Sequence, residues 1–189
     1  MKPLLTERLT IRNWEETDRP LFHLIHSDEQ VMTFYPFRRS RVESDEIFDT
    51  WRSEIAATGL GGFALALRDS GECIGYCGLK YPRIEPILPG GTVEIGWRLA
   101  PPFWGRGYAT EAAERLLEYG FDTVGLPEIV SFAVAQNHRS TAIMNRLHLH
   151  RDHTGDFDHP RVPDTHPHLK RHVLYRLSAQ DWQNRKRAG

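Results

Sequence analysis

The segment from Glu94 to Ala112 constrains this chain more than any other. Val93, Ile95 and Trp97 alternate with Glu94 and Gly96, which predicts a strand over 92–99 with its apolar face inward. Pro101-Pro102 ends it. Trp104-Gly105-Arg106-Gly107-Tyr108-Ala109-Thr110 then forms a glycine-rich turn that opens a helix, expected from about Ala109 to Thr123 with Ala112, Leu116 and Tyr119 or Gly120 along its stripe. The first N–H groups of such a helix have no internal partners, and its dipole is positive there. Gly105 and Gly107 let the backbone curl closely around an anion, and Arg106 adds charge. The physical reading is a phosphate or pyrophosphate site; a plain tight turn is the alternative. Walker A fails, because Tyr108-Ala109-Thr110 stands where Gly-Lys-Ser/Thr is needed. The dinucleotide fingerprint fails at its third glycine, which is Thr110.

The rest of the chain gives an α/β class in one domain over 1–189, with a largely antiparallel sheet. Leu9 and Ile11 mark a short strand, and Leu21, Leu24 and Ile25 a helix with Pro20 near its start. Ser40 caps a second helix carrying Ile47, Trp51 and Ile55, which Gly59 ends. Strands over 63–67 and 73–79 flank the hairpin turn Asp69-Ser70-Gly71. Prolines 82, 86 and 89 with Gly90-Gly91 make a loop. Ile129–Ala135 reads as a central strand, 140–147 as a short helix, 148–168 as a long loop or irregular hairpin, and His172–Leu177 as a last strand. Ser178 caps a closing helical turn, and Arg185-Lys186-Arg187 is expected to fray.

With 189 residues, the chain can bury roughly 70% of its unfolded surface. Lys+Arg 24 against Asp+Glu 25 gives a net charge of −1, so no global field would hold nucleic acid or an anionic membrane. No apolar run approaches the ~20 residues of a membrane span, and the first residues carry no signal-peptide pattern. Cys73 and Cys77, four apart in a strand, are expected on one face roughly 13 Å apart, too far for a disulfide, which needs about 7 Å. Both read as reduced thiols of a cytoplasmic protein.

The words W-G-x-G-Y-A-T-E-A, from Trp104 to Ala112, resemble the acetyl-CoA pyrophosphate loop of the GCN5-related N-acetyltransferase (GNAT) superfamily, in its RimJ/RimL-like branch. Gly107 and Ala109 match the Q/R-x-x-G-x-G/A pattern, while Trp104 replaces its Gln/Arg. Three more segments agree in order: Glu7–Arg12 with an opening strand, Asn137–Leu147 with an N-x-x-S helix, and His172–Leu177 with a closing strand. The resemblance implies a sheet whose strands over 92–99 and 129–135 splay apart. The pantetheine arm would lie between them on backbone groups of Trp97, Arg98 and Leu99, and on Asn137 and Ser140. N–H groups of Trp104, Gly105, Arg106, Gly107, Tyr108, Ala109 and Thr110 would cradle the pyrophosphate.

Acetyl transfer from a thioester needs a deprotonated amine, donors for the tetrahedral oxyanion and a proton near the departing thiolate. Glu94 is the base candidate, against a plain surface carboxylate. Ser140 could cap its helix, and the resemblance makes it a proton donor to sulfur. Met144 stands where many relatives carry a tyrosine acid, and His148 where they carry a glycine. Eight of the ten histidines lie between His138 and His172. His148, His150 and His153 near Asp152 and Asp156 lack metal-site spacing and read as a solvated loop, so no metal is expected. His159, in Phe157-Asp158-His159-Pro160, is a second base candidate or a substrate contact. Phe34, Tyr35 and Phe37 would wall the acceptor pocket, suiting an apolar group or a cation. The leading reading is an acetyl-CoA-dependent N-acetyltransferase acting by direct attack of an amine, either a protein N-terminus or a small-molecule amine, as monomer or homodimer. A non-catalytic acyl-CoA-binding module and a nucleotide-phosphate binder are the alternatives.

Overall fold

The structure, a computed structural model, describes residues 2–188; Met1 and Gly189, the ends of the expected domain, lie outside the described residues. The chain runs β1 (Leu4–Leu5), β2 (Leu9–Arg12), α1 (Arg19–Ser27), α2 (Arg41–Thr58), β3 (Gly61–Leu67), β4 (Cys73–Lys80), β5 (Glu94–Leu99), α3 (Tyr108–Glu118), β6 (Glu128–Val134), α4 (His138–Arg146), β7 (His150–Asp158), β8 (Arg171–Ser178) and α5 (Ala179–Ala188). The strands form one eight-stranded sheet in the order β1-β2-β3-β4-β5-β6-β8-β7. Neighbours are antiparallel except β5 and β6, which are parallel and share one paired position, Glu94 with Val130. Beyond it the two strands diverge, as expected.

Local chemistry sets the helix ends. Ser40 and Glu43 form a reciprocal capping box at the start of α2, which satisfies two otherwise unpaired N–H groups. Gly59 closes α2 in the left-handed region at φ 71°. α1 and α2 cover one face of the sheet, where the Trp51 ring meets Tyr76 edge-on at 4.9 Å. That ring also lies over Gly62, where a Cβ would come within 2.3 Å of it. α3 and its π-helical extension over Tyr119–Val124 cover the other face, with Gly120 against Leu79 and Ile129.

Three local expectations change, and a fourth is decided between its two readings. Leu65 pairs with Gly75 but Ala66 with Cys73, so Ile74 is an extra residue in β4. The bulge turns Cys73 to the face opposite Cys77, towards Arg12 and Asp18. Both cysteines are unpaired thiols. Of the two readings of the 148–168 stretch, the irregular hairpin holds: its strand β7 pairs with β8 and is bulged between Asp152 and Phe157. It is held by ion pairs of Arg151 with Asp156 and of Arg176 with Asp152. The N-cap of α4 is Asn137, whose side chain accepts from the Ser140 N–H; Ser140 lies inside the first turn. Finally, the basic tail does not fray: Arg185 pairs with Glu114, and Lys186 with Asp122 at 2.8 Å.

Candidate active site

The turn after β5 begins with paired amides and ends with ones unpaired among the described residues. Ala100 N–H closes back on Ile74 at 2.9 Å, and a short 3-10 turn follows. Gly105 and Gly107 adopt φ of 73° and 82°, a region open to glycine at little cost. Gly107 is the N-cap of α3, and no side chain caps it. Among the described residues, the N–H groups from Gly105 to Thr110 donate to nothing. Trp104 departs from its expected role. Its N–H donates to Pro101 at 3.1 Å and its indole to the Leu99 carbonyl at 2.7 Å. It braces the loop and does not add a donor to it.

Glu111, in the first turn of α3, would repel an anion at this helix end. Arg8 cancels it: its Nε and backbone N–H donate to the Glu111 carboxylate at 2.7 and 2.9 Å. Its Nη1 donates to the Arg106 carbonyl at 3.0 Å, and its guanidinium lies 4.6 Å from the Tyr108 ring centre. Thr6 Oγ1 donates to the same carboxylate at 2.6 Å. Arg8 was legible in the sequence only as part of an opening strand.

The gap between β5 and β6 exposes alternate backbone groups. Val130 N–H donates to Val93 at 2.9 Å, and Ser131 Oγ donates to Ile95 at 2.9 Å. Odd-numbered residues of β5 therefore face β6, and the amides of Trp97 and Leu99 point into the opening. Arg98 does not: its backbone lies in the ladder opposite Tyr76, so the expected backbone contact passes to its two neighbours. Across the gap, Asn137 Oδ1 accepts from Ser140 N–H at 3.1 Å. The Ser140 hydroxyl has no hydrogen bond to a described residue. Arg139 stacks over the Trp104 ring at 4.8 Å, which ties the start of α4 to the glycine loop.

Asn137, Ser140, Trp97 and Glu94 all line one cavity of about 620 Å³. Glu94 is 9% exposed and 4.0 Å from Lys80 Nζ. Burial raises its pKa, against the pull of Lys80 and Arg161. Burial opposes the charge on Lys80, but Glu94, Tyr76 and Tyr35 outweigh it and hold the ammonium above its usual value. His159 lines the same cavity, with its pKa pushed down to about 4 by burial and by His172 and Arg161. Its Nδ1 accepts the Arg161 N–H at 3.2 Å, so its proton sits on Nε2. Both thiols are pushed upward by burial, Cys73 to about 12, and neither is an activated nucleophile.

Residues 8–150 match the family described as Acetyltransferase (GNAT) domain. The chain belongs to the GNAT family. Its relatives include an uncharacterized N-acetyltransferase p20 of Bacillus licheniformis, 30% identical over 80% of this chain and 84% of that one. The FsC-acetyl coenzyme A-N(2)-transacetylase of Aspergillus fumigatus is 32% identical over 75% of this chain and 62% of that one. The solved acetyltransferase of Agrobacterium tumefaciens is 29% identical, superposes with a TM-score of 0.72 and covers 94% of each chain. This GNAT chain is an N-acetyltransferase with acetyl-CoA as co-substrate.

Proposed function

We propose that the enzyme acetylates an amine bound in the 620 Å³ cavity by direct attack on the thioester, with Glu94 as general base. The observation that carries this reading is a buried carboxylate of raised pKa in the cavity onto which the β5–β6 gap opens. The amine lone pair forms the N–C bond, the C–S bond breaks, and the amine proton passes to Glu94 directly or through water. N–H groups on the open edge of β5 are available to the oxyanion. Ser140, with an uncommitted hydroxyl, donates a proton to the thiolate and recovers one from solvent; with a thiol pKa of about 8.5 this help is modest. Gly105 to Thr110 hold the diphosphate, and Asn137 lies beside the pantetheine arm. His159 serves as cavity wall, since its basic nitrogen is already engaged.

The W-G-x-G-Y-A-T-E-A loop and the N-x-x-S helix support the RimJ/RimL-like branch. Two unpaired thiols agree with a cytoplasmic setting. Residues 1–189 act as one domain in this reading, as monomer or homodimer.

The test is Glu94→Gln, followed by thiol release at saturating acetyl-CoA. The expected outcome is a loss of about 10²–10⁴ in kcat, together with loss of the acid limb of the pH profile. In the parent enzyme that limb lies above the ordinary carboxylate range, because activity requires Glu94 ionised and its pKa is raised. An unchanged rate and profile in the variant overturns the assignment.

A further inference from the structure

The acceptor end of the cavity carries more positive charge than it uses. Arg39, Lys80, Arg83, Arg98 and Arg161 line it, against two carboxylates, Glu54 and Glu94. Both carboxylates are engaged, Glu54 with Arg83 at 3.2 Å and Glu94 with Lys80 at 4.0 Å. Arg161 donates to the carbonyls of Pro82 and Arg83 at 3.0 and 2.6 Å. Arg98 and Arg39 have no carboxylate partner among the described residues. Nε of Arg98 is buried with no hydrogen-bond partner among the described residues; its Nη1 reaches the Ile25 carbonyl at 3.4 Å, and the Tyr35 hydroxyl is its other polar neighbour. A partly buried guanidinium whose Nε is unpaired and which has no carboxylate beside it leaves a place for an anionic partner.

The aromatic wall tells the same story. The protein's own cations lie against four of the cavity's rings. Arg98 lies 4.2 Å from the Tyr35 ring centre and 5.6 Å from that of Tyr76. Arg39 lies 4.9 Å from Phe37, and Lys80 5.6 Å from Trp51. Of the expected wall aromatics, Tyr35 and Phe37 each already stack on an arginine, which favours a substrate group that those arginines attract.

We propose that the acceptor is a small amine bearing a carboxylate, of the amino-acid class, with its carboxylate held by Arg98 and Arg39 and its amine turned towards Glu94. Glu94 and Arg98 lie on the same face of β5, about 13 Å apart along the strand. Between them Gly96 pairs with Gly78 across the β4–β5 ladder, so the floor has no side chains. Arg presents a planar fork that binds a carboxylate through two parallel bonds. The same positive field disfavours an ammonium and so assists deprotonation of the bound amine. This proposal rests on the reading of the cavity as the acceptor site of an acetyltransferase.

The experiment compares amino acids, the matching amino-acid amides and butanediamine as acceptors for the intact enzyme, by thiol release. Amino acids are expected to exceed their amides in kcat/KM by about ten-fold or more, with the diamine slowest. Arg98→Gln is expected to bring acid and amide to within about two-fold of each other, mainly by raising KM for the acid. A CoA-induced rise in melting temperature shows that this variant is folded. Arg39→Gln gives the same reading, with a smaller loss of preference, should Arg98→Gln not fold. Amides or the diamine matching or exceeding the amino acids overturns the carboxylate proposal and leaves acetyl transfer intact. Acid preference unchanged in both variants also overturns it. Thiol release with none of the amines also overturns the carboxylate proposal and leaves acetyl transfer to another class of amine intact.

Discussion

His26 shows how a single side chain can carry the pH response of the fold. It is stacked on Phe22 at 4.3 Å and lies parallel to Tyr76 at 6.3 Å. Its Nδ1–H donates to the Phe22 carbonyl at 2.7 Å. Burial first, then Arg98 and Arg39, push its pKa down to about 3, whereas an unfolded histidine titrates near 6.5. Between those values the unfolded chain binds a proton that the folded chain refuses. Stability from this residue is therefore complete above about pH 6.5 and falls as the pH drops towards 3, by of order 2 kcal/mol at pH 5. Calorimetric melting from pH 7 to 4 is expected to show this decline, and His26→Gln to flatten it. A variant that melts with the same pH slope as the parent would refute the assignment. Asp152 acts at still lower pH. Arg176 and Thr154 lead in holding its pKa near 2, so its contribution survives above the ordinary Asp value and disappears as pH falls through about 2.

At the scale of elements, the glycine loop depends on a clamp from the other end of the sequence. Arg8→Ala removes the neutralisation of Glu111 and the bond to the Arg106 carbonyl. The affinity for acetyl-CoA should fall about ten-fold, while kcat at saturation changes by less than about two-fold. Gly107→Ala acts on the same loop through its backbone, since φ is 82° and the new Cβ would come within 3.4 Å of Arg8 Nη2. Titration calorimetry with CoA checks both, and unaltered binding in Arg8→Ala would show the clamp to be ornamental. This contrast explains what was legible beforehand. Ser40 with Glu43, Gly59, the Asp69-Ser70-Gly71 turn and the glycine loop have their causes within a few residues, so pattern alone reveals them. The Ile74 bulge, the polar strand β7 and the ordered α5 have causes far away in the chain. β7 is held in part by Arg176 of β8, and α5 by Asp122 and Glu114. The family resemblance could point to Glu94, Asn137 and Ser140, whereas nothing in the sequence pointed to Arg8 or to the side chain of Arg98. Their meaning lies in partners, or in the lack of partners, that only folding reveals.

Across the molecule, the sheet is two blocks joined along β5 and β6 by one paired position. The antiparallel ladder β1-β2-β3-β4-β5 lies on one side and β6-β8-β7 on the other. Backbone amides of Trp97 and Leu99 at the open edge are unprotected by a strand partner, so they should exchange hydrogen rapidly. Saturating CoA is expected to slow both by about ten-fold or more, with little change at Gly96 and Arg98, whose amides face β4. Equal slowing at all four would mean general tightening and would count against a ligand lying along this edge.

A sheet joined in this way has a consequence for how the enzyme can be tuned. The width of the wedge between the blocks is governed by whatever packs behind them, above all Gly120 wedged against Leu79 of β4 and Ile129 of β6. Bulk added there would act as a shim, prising the two edges apart or skewing them without touching a single group that meets either reactant. Remote changes of this kind offer a mechanical dial on thioester placement, set from the back of the sheet.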